Sequence, residues 1–244
     1  MVVAAILVVV AATAGILYVV LRERPRVVVY GDSLSVESKH HFSDALGAGD
    51  TADVTVRAFG GTAICDWLIP MRQDAESLRP AAVVIQFVGN VRSDCMRGPD
   101  GEVLGEPAAL DKYTRDLDLA LETWTSRDVP VYLVVSPGPV GVVDPGPLRD
   151  RYVAAAQRWG PGVAVVDAGD ALRDDFGTYP ERLPCLSSEG PAEGCEDGTI
   201  TVRAADGIHF CERIDGDGAC AGYASGALRF ARAMATPVRR DLGD

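Results

Sequence analysis

The sequence predicts a single three-layer α/β/α domain on a five-stranded parallel sheet, preceded by one membrane-spanning helix. Three observations carry that prediction. Five short runs, 26–30, 54–58, 82–88, 131–135 and 163–166, are mostly apolar and β-branched, the pattern of strands buried on both faces. Amphipathic stretches separate several of them, and strands alternating with helices give a doubly wound parallel sheet. The 219 residues after position 25 suffice for one such domain with a sizeable core and do not require a second.

In chain order, residues 2–21 carry no charge. At about 1.5 Å per residue, a helix of that length spans the roughly 30 Å hydrocarbon core. A cleaved signal segment is the rival, but it would want a basic stretch before a shorter apolar run. The expected division is therefore 1–25 as membrane anchor or signal segment and 26–244 as the folded domain. The first strand runs into Gly31-Asp32-Ser33-Leu34, and the helix after it carries His40 and His41 on a solvated face. Between the third and fourth strands, Tyr113, Leu117, Ala120, Leu121 and Trp124 recur at helical spacing, with Asp111, Arg115, Asp118 and Glu122 largely opposite. Segments 147–159 and 222–235 read as further helices. Segments 91–107 and 173–200 hold much of the Gly, Pro and charge, and loops of that length are more often binding surface or lid than filler.

A net charge of −12, with no basic run longer than Arg239-Arg240, excludes a nucleic-acid surface. Six cysteines form an even set. Short spacing pairs Cys185 with Cys195 and Cys211 with Cys220, which leaves Cys65 and Cys95 as the third pair. Disulfides imply an oxidising compartment, so the domain is expected on the extracytoplasmic side of the cell membrane. The arginines at 22, 24 and 26 would by themselves favour a cytoplasmic domain, but large domains cross despite flanking charge. No CxxC pair occurs, and the Asp215-Gly216-Asp217-Gly218 stretch lacks the closing glutamate of a calcium loop. Neither metal nor cofactor is expected.

Ligands of open α/β sheets collect at the carboxyl ends of the strands. Here the first strand ends in Gly31-Asp32-Ser33, the second in Phe59-Gly60-Gly61-Thr62 and the third in Gly89-Asn90, while Asp206-Gly207-Ile208-His209 precedes the last helix. A hydroxyl nucleophile, close-approaching backbone amides, a side-chain amide and a carboxylate–imidazole pair are the components of acyl transfer through a serine ester. Asp32 reads as a turn-stabilising residue and Trp67 as core packing.

These four blocks, in this order, resemble the SGNH or GDSL-type hydrolase superfamily over residues 27 to about 235. The third block departs from the family's usual GxND, reading Gly89-Asn90 without an adjoining aspartate. The resemblance implies a flavodoxin-like sheet and a triad of Ser33, His209 and Asp206. It also implies an oxyanion hole from Ser33, Asn90 and either Gly60 or Gly61. The expected activity is a cofactor-free esterase removing small acyl groups, acetyl foremost, from a cell-envelope carbohydrate. An O-acyltransferase on the same triad, or a non-catalytic glycan-binding domain of the same fold, are the alternatives.

Overall fold

A computed structural model describes residues 24–47, 51–218, 220–221 and 224–243. The expected membrane span lies outside them, and no helix among the described residues is long and apolar enough to cross a membrane. Five strands, β1 (Arg26–Gly31), β2 (Asp53–Ala58), β3 (Ala82–Gln86), β4 (Val131–Val134) and β5 (Val163–Val166), form one parallel sheet in the order β2-β1-β3-β4-β5. This is the expected flavodoxin-like order, and the expected strand positions hold to within two residues.

Strand alternation feeds two cores. Val27, Val29, Ala82, Val84 and Val134 point to one face, where α1 (Ser33–Ala45) and α5 (Ser225–Leu242) pack through Phe42, Leu46, Phe230 and Met234. Val28, Tyr30, Val83, Ile85 and Leu133 point to the other, covered by α2 (Ile64–Ser77), α3 (Glu106–Thr125) and α4 (Leu148–Trp159). In α3 the five residues singled out by spacing are all buried. Asp118 is not simply outward: it accepts from Arg158 Nη2 at 2.7 Å and Trp159 Nε1 at 2.9 Å, tying α3 to α4.

Two helices carry an internal proline: α5 runs past the expected end at 235, and α2 falls where no helix was named from the sequence. Pro70 sits within α2 and Pro237 within α5, where a proline costs a backbone hydrogen bond. In α5 the cost is offset by burial of Met234, Ala235 and Val238 and by Tyr132 Oη donating to Asp241 at 2.7 Å. In α2, Asp74 anchors the far end by accepting from Tyr30 Oη and from Arg57 Nε and Nη2.

The long segments are mostly irregular but held down. A short hairpin of β6 (Arg182–Pro184) and β7 (Thr199–Thr201) sits within 173–201. The buried Glu189 accepts from Ser225 Oγ and Arg229 Nη2 on α5. The three disulfides are those expected, Cys65–Cys95, Cys185–Cys195 and Cys211–Cys220, and no described cysteine is free.

Candidate active site

The order of the sheet reverses between β1 and β3, and the crevice outside their carboxyl ends is where such folds bind ligands. Ser33 lies there as the first residue of α1, with Asp32 as its N-cap. Gly31 must be glycine, because a Cβ would collide with Ser35 Oγ. The first amides of a helix lack intrahelical partners and carry the positive end of its dipole, so the backbone at Ser33 suits developing negative charge.

Asp32 is fully buried and is the hub of this crevice. It accepts from Leu34 N at 3.2 Å, Gln86 Nε2 at 3.1 Å, Val88 N at 2.7 Å and Asn90 Nδ2 at 3.2 Å. Burial pushes its carboxyl up to about 6, while these donors and the nearby His209 pull it down. The expected turn-stabilising role is therefore correct in kind and larger in reach. Gln86 extends the hub, donating also to Ser136 Oγ at 2.9 Å and accepting from Ser35 Oγ at 2.5 Å.

The second partner arrives from far along the chain. Gly207, at φ +72°, turns the segment so that Asp206 lies beneath His209. Asp206 Oδ1 accepts from the Ile208 and His209 amides at 2.8 and 2.9 Å, and Oδ2 meets His209 Nδ1 at 2.5 Å. Burial raises the Asp206 carboxyl, but the His209 ring and the two amides outweigh it and bring the group down to about 2. An ionised Asp206 can only accept a hydrogen bond, so it favours the tautomer with the proton on Nδ1, which leaves Nε2 as the acceptor. His209 Nε2 stands 2.9 Å from Ser33 Oγ.

The remaining expected residues divide. Gly60 borders the same cleft as Ser33 and His209, and a Cβ on it would stand 3.9 Å from Ser33 Cβ. Gly61, at φ +78°, does not line that cleft and would meet nothing within 4 Å. The side-chain amide of Asn90 gives both its protons to the protein, one to Asp32 and one to Thr62 O at 3.1 Å, and the Asn90 backbone carbonyl accepts from Tyr113 Oη. It ties the ends of β1, β2 and β3 together in this structure. Trp67 packs against Tyr30 and donates to Thr62 Oγ1. His40 is exposed, but His41 is half-buried, and burial lowers its pKa, so the expected solvated face holds for only one of the two.

Sequence reasoning missed Gln86, Glu37 and Arg203. A lone polar side chain at the end of an apolar strand was the available signal for Gln86. Glu37 lies one helical turn after Ser33, is buried, and accepts from Phe210 N at 2.7 Å. Burial pushes its carboxyl upward, against the pull of that amide. With Asp206, Glu212 and Arg213 it lines a cleft of about 280 Å³ beside Ser33, walled in part by Cys211.

No protein-family model and no curated protein matches the sequence. Among solved structures, the chain is similar to an acetyl xylan esterase at 16% identity and TM-score 0.57, covering 87% of this chain and 99% of that one. It is similar to a lipase/acylhydrolase from Enterococcus faecalis at 16% identity and TM-score 0.53, with 89% and 96% covered. A GDSL-like lipase from Bacteroides thetaiotaomicron matches at 16% identity and TM-score 0.52, with 88% of each chain covered. Identities this low speak for the fold alone: the chain shares the α/β fold of these acylhydrolase and esterase structures.

Proposed function

We propose that the protein is a serine esterase acting through Ser33, His209 and Asp206 on small acyl esters, acetyl foremost, of a cell-envelope carbohydrate. The observation that carries this reading is the 2.9 Å approach of His209 Nε2 to Ser33 Oγ, with Asp206 on the other ring nitrogen. Residues 176 positions apart meet there in the geometry a hydroxyl needs to become a nucleophile.

In the first half-reaction Ser33 Oγ bonds to the ester carbonyl carbon as its proton passes to His209 Nε2. The carbonyl oxygen takes the negative charge. As the tetrahedral species collapses, the bond to the alcohol oxygen breaks and the proton on Nε2 goes to that oxygen. Water then gives its proton to Nε2, attacks the acyl-serine, and releases the carboxylic acid and the Ser33 hydroxyl. The oxyanion would be received by the Ser33 and Gly60 amides, and one such donor is worth about 2.7–4 kcal/mol. Asn90 would join them by turning one N–H away from Thr62 O.

Two features support a hydroxylated alcohol portion. The cleft beside Ser33 is rimmed by Glu37, Glu212 and Arg213, groups that hydrogen-bond to sugar hydroxyls. The fold also accommodates acetyl xylan esterase activity, as one similar structure is named. The three disulfides support an extracytoplasmic location, and the uncharged run 2–21 supports anchoring to the membrane. A chain-length series of p-nitrophenyl esters tests the acyl preference. Highest kcat/KM on the shortest chains is the expected result, whereas a rise from acetate to octanoate would overturn it.

A further inference from the structure

A second cleft, of about 210 Å³, opens at the carboxyl ends of β3 and β4. The Asp206–His209 turn divides the two: Asp206 and His209 line the first, and Ile208 lines the second. Its walls are mainly apolar, from Phe87, Val135 and the prolines of 137–147. Such a surface should not hold unmatched polar groups, because each costs its full desolvation.

It nevertheless does. Five buried side-chain N or O atoms have no hydrogen-bond partner among the described residues, and three of them belong to Arg203 (Nε and Nη1) and Tyr152 (Oη). Both residues line this cleft. Arg203 is 1% exposed. Its Nη2 donates to Gly138 O at 2.7 Å and more weakly to Gly207 O at 3.4 Å, which leaves the Nε and Nη1 hydrogens unmatched. The Phe87 amide lies near Tyr152 Oη without completing a hydrogen bond. The first turn of α4 borders the cleft, with Arg149 on its rim, and a helix start adds positive potential. The guanidinium's negative neighbours, Asp206 and Glu37, act on it by charge and not by hydrogen bonds.

We propose that this cleft binds a carboxylate carried by the ester substrate, held by Arg203 and Tyr152. A planar carboxylate matches the fork of a guanidinium, and a phenol supplies a further donor. Because only the His209 turn separates the two clefts, the carboxylate and the scissile ester belong to one small molecule or sugar unit. The carboxylate has two chemical sources: the far end of a short dicarboxylic acyl group, or the acid group of a uronate-type sugar bearing the acyl ester. The proposal rests on the serine-esterase reading for its position and on the unmatched donors for its chemistry.

Two substrate pairs distinguish the sources: p-nitrophenyl hydrogen succinate against p-nitrophenyl acetate, and acetylated glucuronate against acetylated glucose. The expected result is a kcat/KM about tenfold to a hundredfold higher for the charged member of one pair, carried mainly in KM. The pair that responds names the source. That ratio should collapse toward one in Arg203→Gln and in Tyr152→Phe. Should Arg203→Gln fail to fold, Tyr152→Phe, which removes one hydroxyl, decides alone. Ratios of one or less in both pairs, or a ratio that survives in the folded variants, overturn the proposal. The latter would make Arg203 a buried support for the Asp206 turn. If no ester is turned over, the esterase reading has failed separately, and melting temperature decides instead. A rise with sodium succinate or glucuronate that Tyr152→Phe abolishes sustains the site, and no rise overturns it.

Discussion

Asp32 and Asp206 lie at the two ends of one constellation, yet they are held in opposite ways. Asp32 is fully buried and collects donors from the start of α1, the end of β3 and the loop beyond it. Asp206 has a half-exposed side chain and takes all its donors from within three residues of itself. The first joins distant segments and so belongs to the fold. The second presets one imidazole and so, in the proposed mechanism, belongs to the chemistry. One side-chain type is divided between two tasks by environment alone, and substitutions should separate those tasks.

The largest effect is expected where the two regions meet. Ser33→Ala should lower kcat/KM for p-nitrophenyl acetate by about 10⁴-fold or more without altering the melting temperature. His209→Ala should fall nearly as far, and the double variant little further, since members of a triad act as a unit. Losses that multiply would separate the two residues into different steps.

Asp206→Asn should come next, with a loss of up to about 10⁴-fold in kcat/KM and little change in stability. The amide can present an N–H to Nδ1 and so favour the wrong tautomer. A similar loss of stability would mean that this turn is structural, like the hub.

Asp32→Asn should show the reverse. Its amide nitrogen would face donors, leaving one or two of them unmatched, and about 2–4 kcal/mol of stability should be lost by urea denaturation. A variant as stable as the wild type would remove the hub from the account. Replacing Cys211 and Cys220 together by serine should cost about 2–3 kcal/mol for so short a loop, and should lower activity by loosening the segment after His209.

The smallest effect is in pH dependence, and the two carboxylates should differ in sign. Burial holds Asp32 at about 6 against an ordinary 3.8, so its contribution to stability is full below 3.8 and lost as pH rises through 6. Asp206 is held at about 2, so its contribution is present above 3.8 and lost as pH falls through 2. The stability advantage of wild type over Asp32→Asn should therefore shrink from pH 4 to 6, whereas the advantage over Asp206→Asn, small because that carboxylate is half-exposed and screened, should shrink from pH 4 to 2. Parallel curves for the two variants would contradict the contrast.

Much of this contrast was legible in the sequence, unevenly. The Asp206-Gly207-Ile208-His209 turn is local, so its spacing and its glycine already specify the carboxylate–imidazole pair. Ser33 was legible because a strand end followed by a helix start has few geometries. The hub was not, since four of its members, Ser35, Gln86, Asn90 and Ser136, become neighbours only after three strands align. Helix α2 was obscured by Pro70, and α5 was cut short by Pro237, because local propensity is overridden where an apolar face packs. Arg203 carried no signal at all: an arginine in a polar segment reads as surface, and only the folded chain buries it.

The central claim is that Ser33 is a nucleophile activated by His209. The most direct measurement is reaction with a fluorophosphonate followed by peptide mass mapping of the adduct. One phosphonyl group per chain on Ser33, and a much slower reaction in His209→Ala, are the results this account predicts. A folded protein that stays unlabelled, or that is labelled at another residue, would contradict it.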